Sequence, residues 1–259
     1  MEFSPENPLL AEPEIETSHP EEFVEQLRCV TDSLPSRINI DAEGVEQGLA
    51  KLVLTLIEFI RRPAVDALRN RAINLLGTIP ESQAKNTLLT EIARSERETG
   101  AARQAALGAL AMSRSAALLP VFQNLYETLL EHELKRLALR GISRSDNADA
   151  AATYLIHVAD TEKDQDLRKS AIANLGRVAG PKSLNALTAT LDGPAKDVEL
   201  QKTAVTALAR RPKDEAIPIL IRTARNHPSM EVRKTAIRVL GQTGDERAIA
   251  LFSELLSKD

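Results

Sequence analysis

The side chains best suited to chemistry are few and scattered. His19, His132, His157 and His227 share no spacing, and Cys29 is the lone thiol. No HExxH, GxSxG, P-loop or GxGxxG string occurs in the context its chemistry requires. No Cys/His cluster has zinc spacing. Asp160, Glu162, Asp164 and Asp166 alternate as carboxylates do in a calcium loop, but the central Gly and terminal Glu of such a loop are missing. This run reads as a solvated turn between helices, and Cys29 as an incidental thiol. The expectation is a non-enzyme with no catalytic residues, no metal site and no cofactor.

The constellation that does carry a pattern is basic. Arg136, Arg140, Arg144, Lys169, Arg177, Lys202, Arg210, Lys234 and Arg238 fall at offsets −2, +2 and +6 from a recurring alanine. Offsets spaced by four share one helix face. From Ala138 to Ala236 nine of these 12 positions are basic and none is acidic. The same offsets around Ala72 and Ala106 are uncharged: Asn70, Asn74, Thr78, Gln104, Gly108 and Met112. A solvated face normally mixes both signs, so a one-sign ridge reads as a binding surface. Its expected partner is an acidic protein segment, with nucleic acid as the second choice. None of the chain's five Phe and two Tyr lies on the ridge, which disfavours stacking on single strands.

The elements that position this ridge come from an internal repeat. Ala72, Ala106, Ala138, Ala171, Ala204 and Ala236 are separated by 34, 32, 33, 33 and 32 residues. One position later stand Ile73, Leu107, Leu139, Ile172, Val205 and Ile237, and four later Leu76, Leu110, Ile142, Leu175, Leu208 and Leu240. Leu68, Ala102, Leu134, Leu167, Leu200 and Val232 precede the alanines by four. Offsets −4, 0, +1 and +4 lie on one side of a helix, so each unit has a buried stripe centred on a small residue. Gly77, Gly176 and Gly241 read as breaks after the helix, and Pro80, Pro181 and Pro212 as restarts. A second amphipathic segment follows, such as Leu184, Leu187 and Leu191, or Ile217, Leu220 and Ala224, or Ile249, Phe252 and Leu256. Two helices in about 33 residues, repeated, mean a stacked α-solenoid. Arg69, Arg103, Lys135, Arg168, Gln201 and Arg233 sit three before each alanine, beside the buried stripe. They read as structural, since a long stem can pack there while its head bonds carbonyls or acids.

The strings "DQDLRKSAIANLG" (164–176) and "MEVRKTAIRVLG" (230–241) resemble HEAT repeats, in particular the short bacterial kind also seen in phycobilin-lyase-like proteins. The resemblance covers about residues 64–259. It implies an all-α, right-handed solenoid of about six HEAT-like helix pairs whose second helices line the concave surface, where the basic ridge is expected. It implies a protein-binding scaffold, with a tailoring enzyme of lyase or DNA glycosylase type as an alternative.

The chain has 259 residues, 43% hydrophobic and only 3% aromatic. That is enough for a sizeable core and favours helices over strands. The net charge of −4 is uneven. Residues 1–62 hold 13 acids and 5 bases, and residues 63–259 hold 24 acids and 28 bases. Residues 1–22 contain seven Glu, four Pro and no Lys or Arg, and are expected to form an acidic disordered tail. Residues 23–62 read as an N-terminal helical segment, with an N-cap at Asp41 and a helix from about Ala42 to Arg62 that caps the solenoid of residues 63–259. The string "RINIDAEGVEQGLAKLVLTLIEFIRR" (37–62) resembles the opening helix of gas vesicle protein K, which implies an accessory role in gas vesicle assembly and docking on gas vesicle components through these residues. Leu49 to Ile60 is too short and too polar to span a bilayer, and no signal peptide pattern is present. The expected location is cytoplasmic.

Overall fold

The computed structural model describes residues 42–61, 66–193 and 197–257. The acidic tail (1–22), the segment 23–34, Cys29 and the expected N-cap Asp41 lie outside the described residues. The chain divides into two units, Met1–Gly48 and Leu49–Asp259, and the repeats belong to the second.

Among the described residues there are thirteen α-helices, one short 3-10 turn and no strand. They are α1 (Ala42–Arg61), α2 (Asp66–Thr78), α3 (Gln83–Arg94), α4 (Gly100–Leu110), α5 (Leu119–Thr128), α6 (His132–Ile142) and α7 (Ala148–Thr161). Then come α8 (Gln165–Leu175), α9 (Pro181–Leu191), α10 (Val198–Leu208), α11 (Lys213–Asn226), α12 (Met230–Gly241) and α13 (Glu246–Leu256). The landmark alanines sit on the even-numbered helices α2 to α12. Those helices pack on one another in sequence, α2 on α4, α4 on α6, and so on to α12. Odd-numbered helices form the second layer. This is an all-α solenoid.

The stripe read from the sequence is the core. Ala106, Ala138, Ala171, Ala204 and Ala236 are completely buried, as are Leu107, Leu139, Val205, Leu110, Ile142 and Leu208. Fully burying a Leu or Ile side chain contributes about 1.5–3 kcal/mol relative to leaving it in water. The small central residue lets consecutive helices of the row approach closely. Two departures come at the end of the array. Ile237 is 36% exposed, because its offset faces the next helix of the row and α12 is the last of that row among the described residues. In α13 the buried positions are Ala248 and Leu251, while Ile249 and Leu256 face outward.

The three expected breaks fall at helix ends: α2 stops one residue past Gly77, α8 just before Gly176 and α12 at Gly241, while the described glycines with positive φ are Gly180 and Gly244. Gly77 is also required by packing: a Cβ there would stand 2.8 Å from the Ala109 Cα of α4. Gly176 meets the Ala207 backbone of α10 in the same way, with Cα 2.9 Å from such a Cβ. The restarts are less uniform. Pro181 opens α9 and Pro212 precedes α11, whereas Ser82 caps α3, two residues after Pro80. From α4 onward, each landmark helix packs more extensively on the helix before it in the chain than on the one after it. Short connections at 129–131, 162–164 and 227–229 make that pairing tight.

Four of the six residues three before each alanine, Arg69, Arg103, Arg168 and Gln201, donate to carbonyls at the end of the preceding helix or just beyond it. Arg103 is buried; its Nε donates to Ala93 O at the end of α3 (3.0 Å) and its other nitrogens grip Glu131 before α6. Arg69 donates to Ile60 O (2.7 Å) and pairs with Glu98. Arg168 donates to Ala159 O (2.9 Å), and the buried Gln201 amide to Leu191 O and Gly193 O. Lys135 lies over the Tyr126 ring, 5.1 Å from its centroid. Helix C-termini leave carbonyls without partners, and Arg69, Arg103, Arg168 and Gln201 satisfy them; for Arg69 and Arg103 an acid, Glu98 or Glu131, closes the contact. The Arg69 side chain beside Glu98 holds that carboxyl below its ordinary range.

Candidate functional site

The ridge residues stand on the even-numbered helices, on the flank away from the buried stripe. Arg136, Arg140, Lys169, Arg177 and Arg210 line one cleft of about 480 Å³ between α6, α8 and α10, together with Glu133, Asp166, Ser170, Ala173, Asn174 and Thr203. Arg144 follows α6 and interacts electrostatically with Arg177. Lys202, Lys234 and Arg238 do not line this cleft.

The structure splits the ridge by chemistry. Its first row is paired within each helix: Arg136 with Glu133 (3.4 Å), Lys169 with Asp166 (2.6 Å), Lys202 with Glu199 (2.9 Å) and Lys234 with Glu231 (3.3 Å). The acids occupy the first turn, where the helix dipole favours negative charge. Such exposed pairs add about 0–1 kcal/mol each to stability, but they cancel the field of the first row. The remaining rows are different. Among the described residues Arg140, Arg144, Arg177 and Arg238 have no acidic partner, and Arg210 donates to a carbonyl, Ala173 O, at 3.2 Å. Burial, then Arg210, Arg140 and Arg144, hold the Arg177 guanidinium below its ordinary range. Arg140, Arg177 and Arg210 thus share one cleft at the C-terminal ends of α6, α8 and α10, and Arg144 acts on Arg177 electrostatically. The negative end of each helix dipole offsets part of the repulsion.

The floor beneath them is fixed by neutral groups. Asn174 is buried; its Nδ2 donates to Ser170 O (2.9 Å) and its Oδ1 accepts from Ser143 Oγ (3.3 Å). Arg211, next to Arg210, turns the other way. Its buried side chain donates to Val178 O and Gly180 O and pairs with Glu215 at 2.7 Å, so it braces the turn between α8 and α9. The sequence reading missed this residue and the acids of the first row. The acids had a signal: Glu133, Asp166, Glu199 and Glu231 all stand five before a landmark alanine.

The candidate chemical groups elsewhere are engaged in structure. Asp164 caps α8 by accepting from the Asp166 and Leu167 amides, each at 2.9 Å. Glu162 accepts from Tyr126 Oη at 2.6 Å. The acidic run is thus a helix cap and a turn. His227 is buried, with Nδ1 accepting from the Ser229 amide and Nε2 donating to Leu191 O, both at 3.1 Å. No helix among the described residues is long and apolar enough to cross a membrane.

Comparison with known proteins gives two findings. Residues 194–259 match the HEAT repeats family. Among solved structures, human deoxyhypusine hydroxylase in complex with glycerol is similar at 15% identity and a TM-score of 0.34, over 81% of this chain and 89% of that one. No curated protein sequence matches the chain.

Proposed function

We propose that this chain is a non-catalytic interaction scaffold that holds an acidic protein segment across α6, α8 and α10. The observation that carries the reading is the set Arg140, Arg177 and Arg210, which line one cleft with no ion pair of their own among the described residues, the cleft's carboxylates Glu133 and Asp166 being paired with Arg136 and Lys169. Unrelieved repulsion of this kind costs free energy in the free protein, and an incoming anion removes it. HEAT repeats over 194–259 fit a scaffold role. The engaged states of His227, Asp164 and Glu162 support the absence of chemistry. In α1 the side chains of Val53, Leu56, Ile57 and Ile60 are buried, so docking on gas vesicle components would draw on the remaining face, where Leu54 is exposed.

The test is anisotropy of a labelled oligo-glutamate peptide titrated with the full chain. Binding is expected at low salt and should weaken steeply as the Debye length falls from about 30 Å to about 8 Å. The triple variant Arg140→Gln, Arg177→Gln, Arg210→Gln should lose at least about tenfold in affinity, because truncating charges changes both attraction and steering. The triple Arg136→Gln, Lys202→Gln, Lys234→Gln should lose far less, since those cations are already paired. Equal loss in both variants, or no binding by the parent chain, would overturn the proposal.

A further inference from the structure

We propose that the preferred ligand of this cleft is a phosphorylated side chain, phosphoserine or phosphothreonine, carried by the acidic partner segment. The inference rests on the scaffold reading above and narrows it to one anion chemistry.

Residue type is the first ground. Every cation lining the cleft without an acidic partner is an arginine: Arg140, Arg177 and Arg210. Every ridge lysine is paired with an acid of its own helix, Lys169 with Asp166, Lys202 with Glu199 and Lys234 with Glu231. Bulk attraction to an acidic peptide is indifferent to that distinction. Phosphate recognition is not, because the planar guanidinium offers paired donors that match phosphate oxygens.

Charge density is the second. Three guanidinium groups, those of Arg140, Arg177 and Arg210, line a single cleft of about 480 Å³. One carboxylate brings a single charge and two oxygens. A phosphoryl group brings between about −1.5 and −2 and three strong acceptor oxygens to one point. It can therefore answer several forks at once, with Ser170 and Thr203 alongside in the lining.

Extent is the third. The unpaired arginines gather at the last turns of three adjacent helices, while Glu133 and Asp166 line the same cleft toward the first turns. A long phosphodiester backbone laid along the cleft would run over those carboxylates. A single phosphoryl group would not. No aromatic side chain lines the cleft to stack a base.

The experiment compares labelled peptides of one otherwise uncharged sequence bearing phosphoserine, glutamate or serine at a single central position, each titrated with the full chain. An oligo-glutamate peptide and a short duplex oligonucleotide are run in parallel. The phosphoserine peptide is expected to bind at least about tenfold more tightly than its glutamate counterpart, in line with new charge-assisted bonds to arginine. The Arg177→Lys variant keeps the charge and removes the fork. It should lose most of that preference for phosphoserine over glutamate. Its side chain is exposed, so a thermal melt matching the parent is expected as a check on folding. Equal binding of the phosphoserine and glutamate peptides would overturn the phosphate assignment and leave the acidic-partner reading standing if oligo-glutamate binds. Failure of every peptide would overturn both. Tighter binding of the duplex than of the phosphopeptide would overturn the assignment in favour of nucleic acid.

Discussion

Replacing Arg103 by Met isolates what the buried arginine bridges do. The substitution keeps an apolar stem of similar length, so packing beside the stripe is largely retained. It removes the bond from Nε to Ala93 O, in a place where Ala93 is fully buried. Leaving such a carbonyl unpaired costs about 1–3 kcal/mol. It also removes the pair with Glu131, whose side chain is 50% exposed. Solvent screens that pair, and it adds at most about 1 kcal/mol. The expected destabilisation is therefore about 2–3 kcal/mol, most of it from the carbonyl. Arg136→Met is the control, because Arg136 and Glu133 are both more than half exposed, and its cost should stay within about 0.5 kcal/mol. Urea midpoints of the two variants give the comparison. Stacked repeats do not always unfold in one step, so amide exchange at the end of α3 provides a local readout. If Arg103→Met is no more destabilised than Arg136→Met, the bridging role is wrong.

Gly77→Ala should destabilise by about 1–3 kcal/mol, because its Cβ meets the Ala109 backbone; Gly108→Ala, with open space at the same kind of helix, should stabilise by about 0.5–1 kcal/mol in the same melts. The chain has two tyrosines and no tryptophan, so absorbance near 295 nm reads Tyr126 and Tyr154 alone. Burial first, then Glu162 for Tyr126 and Glu127 for Tyr154, raise both phenols above their ordinary range, so neither should ionise at about pH 10–11 until the protein unfolds. A folded pKa raised in this way adds stability below the unfolded value and loses it as pH climbs toward the folded one. Glu98 runs the opposite way: its folded pKa is depressed by the hydrogen bond from Arg69, so its contribution is complete above the unfolded carboxyl value, about 4.3, and is lost as pH falls through the folded one. Arg69→Gln should flatten that acid limb in urea midpoints taken across pH 7 to about 3.

The repeat was legible because close packing of like helices imposes a fixed spacing. Every landmark alanine is buried, and the +1 and +4 positions follow except where α12 lacks a neighbour. Pairing order was less legible, since apolar periodicity marks a face and not which helix covers it. The close approaches were not legible for a related reason: Gly77 and Gly176 are small because a backbone passes close by, and sequence shows the residue without the neighbour. At the candidate site, five of the nine ridge residues, Arg136, Arg140, Lys169, Arg177 and Arg210, line one cleft. The offsets did not separate paired from unpaired cations, because the face was read without the acids of the adjoining turn. The acids that close the bridges, Glu98 and Glu131, stand eight and seven residues before their alanines. Connections of unequal length, 95–99 and 129–131, carry them, so no fixed spacing reveals them.

Amide hydrogen exchange of the full chain, with and without saturating oligo-glutamate peptide, locates the bound anion on the solenoid. Slowed exchange is expected only at the last turns of α6, α8 and α10 and the residues just beyond them, around Arg144, Arg177 and Arg210. Protection centred on the odd-numbered helices, or on the paired row near Glu133, Asp166 and Glu199, would contradict a site built on the unpaired arginines.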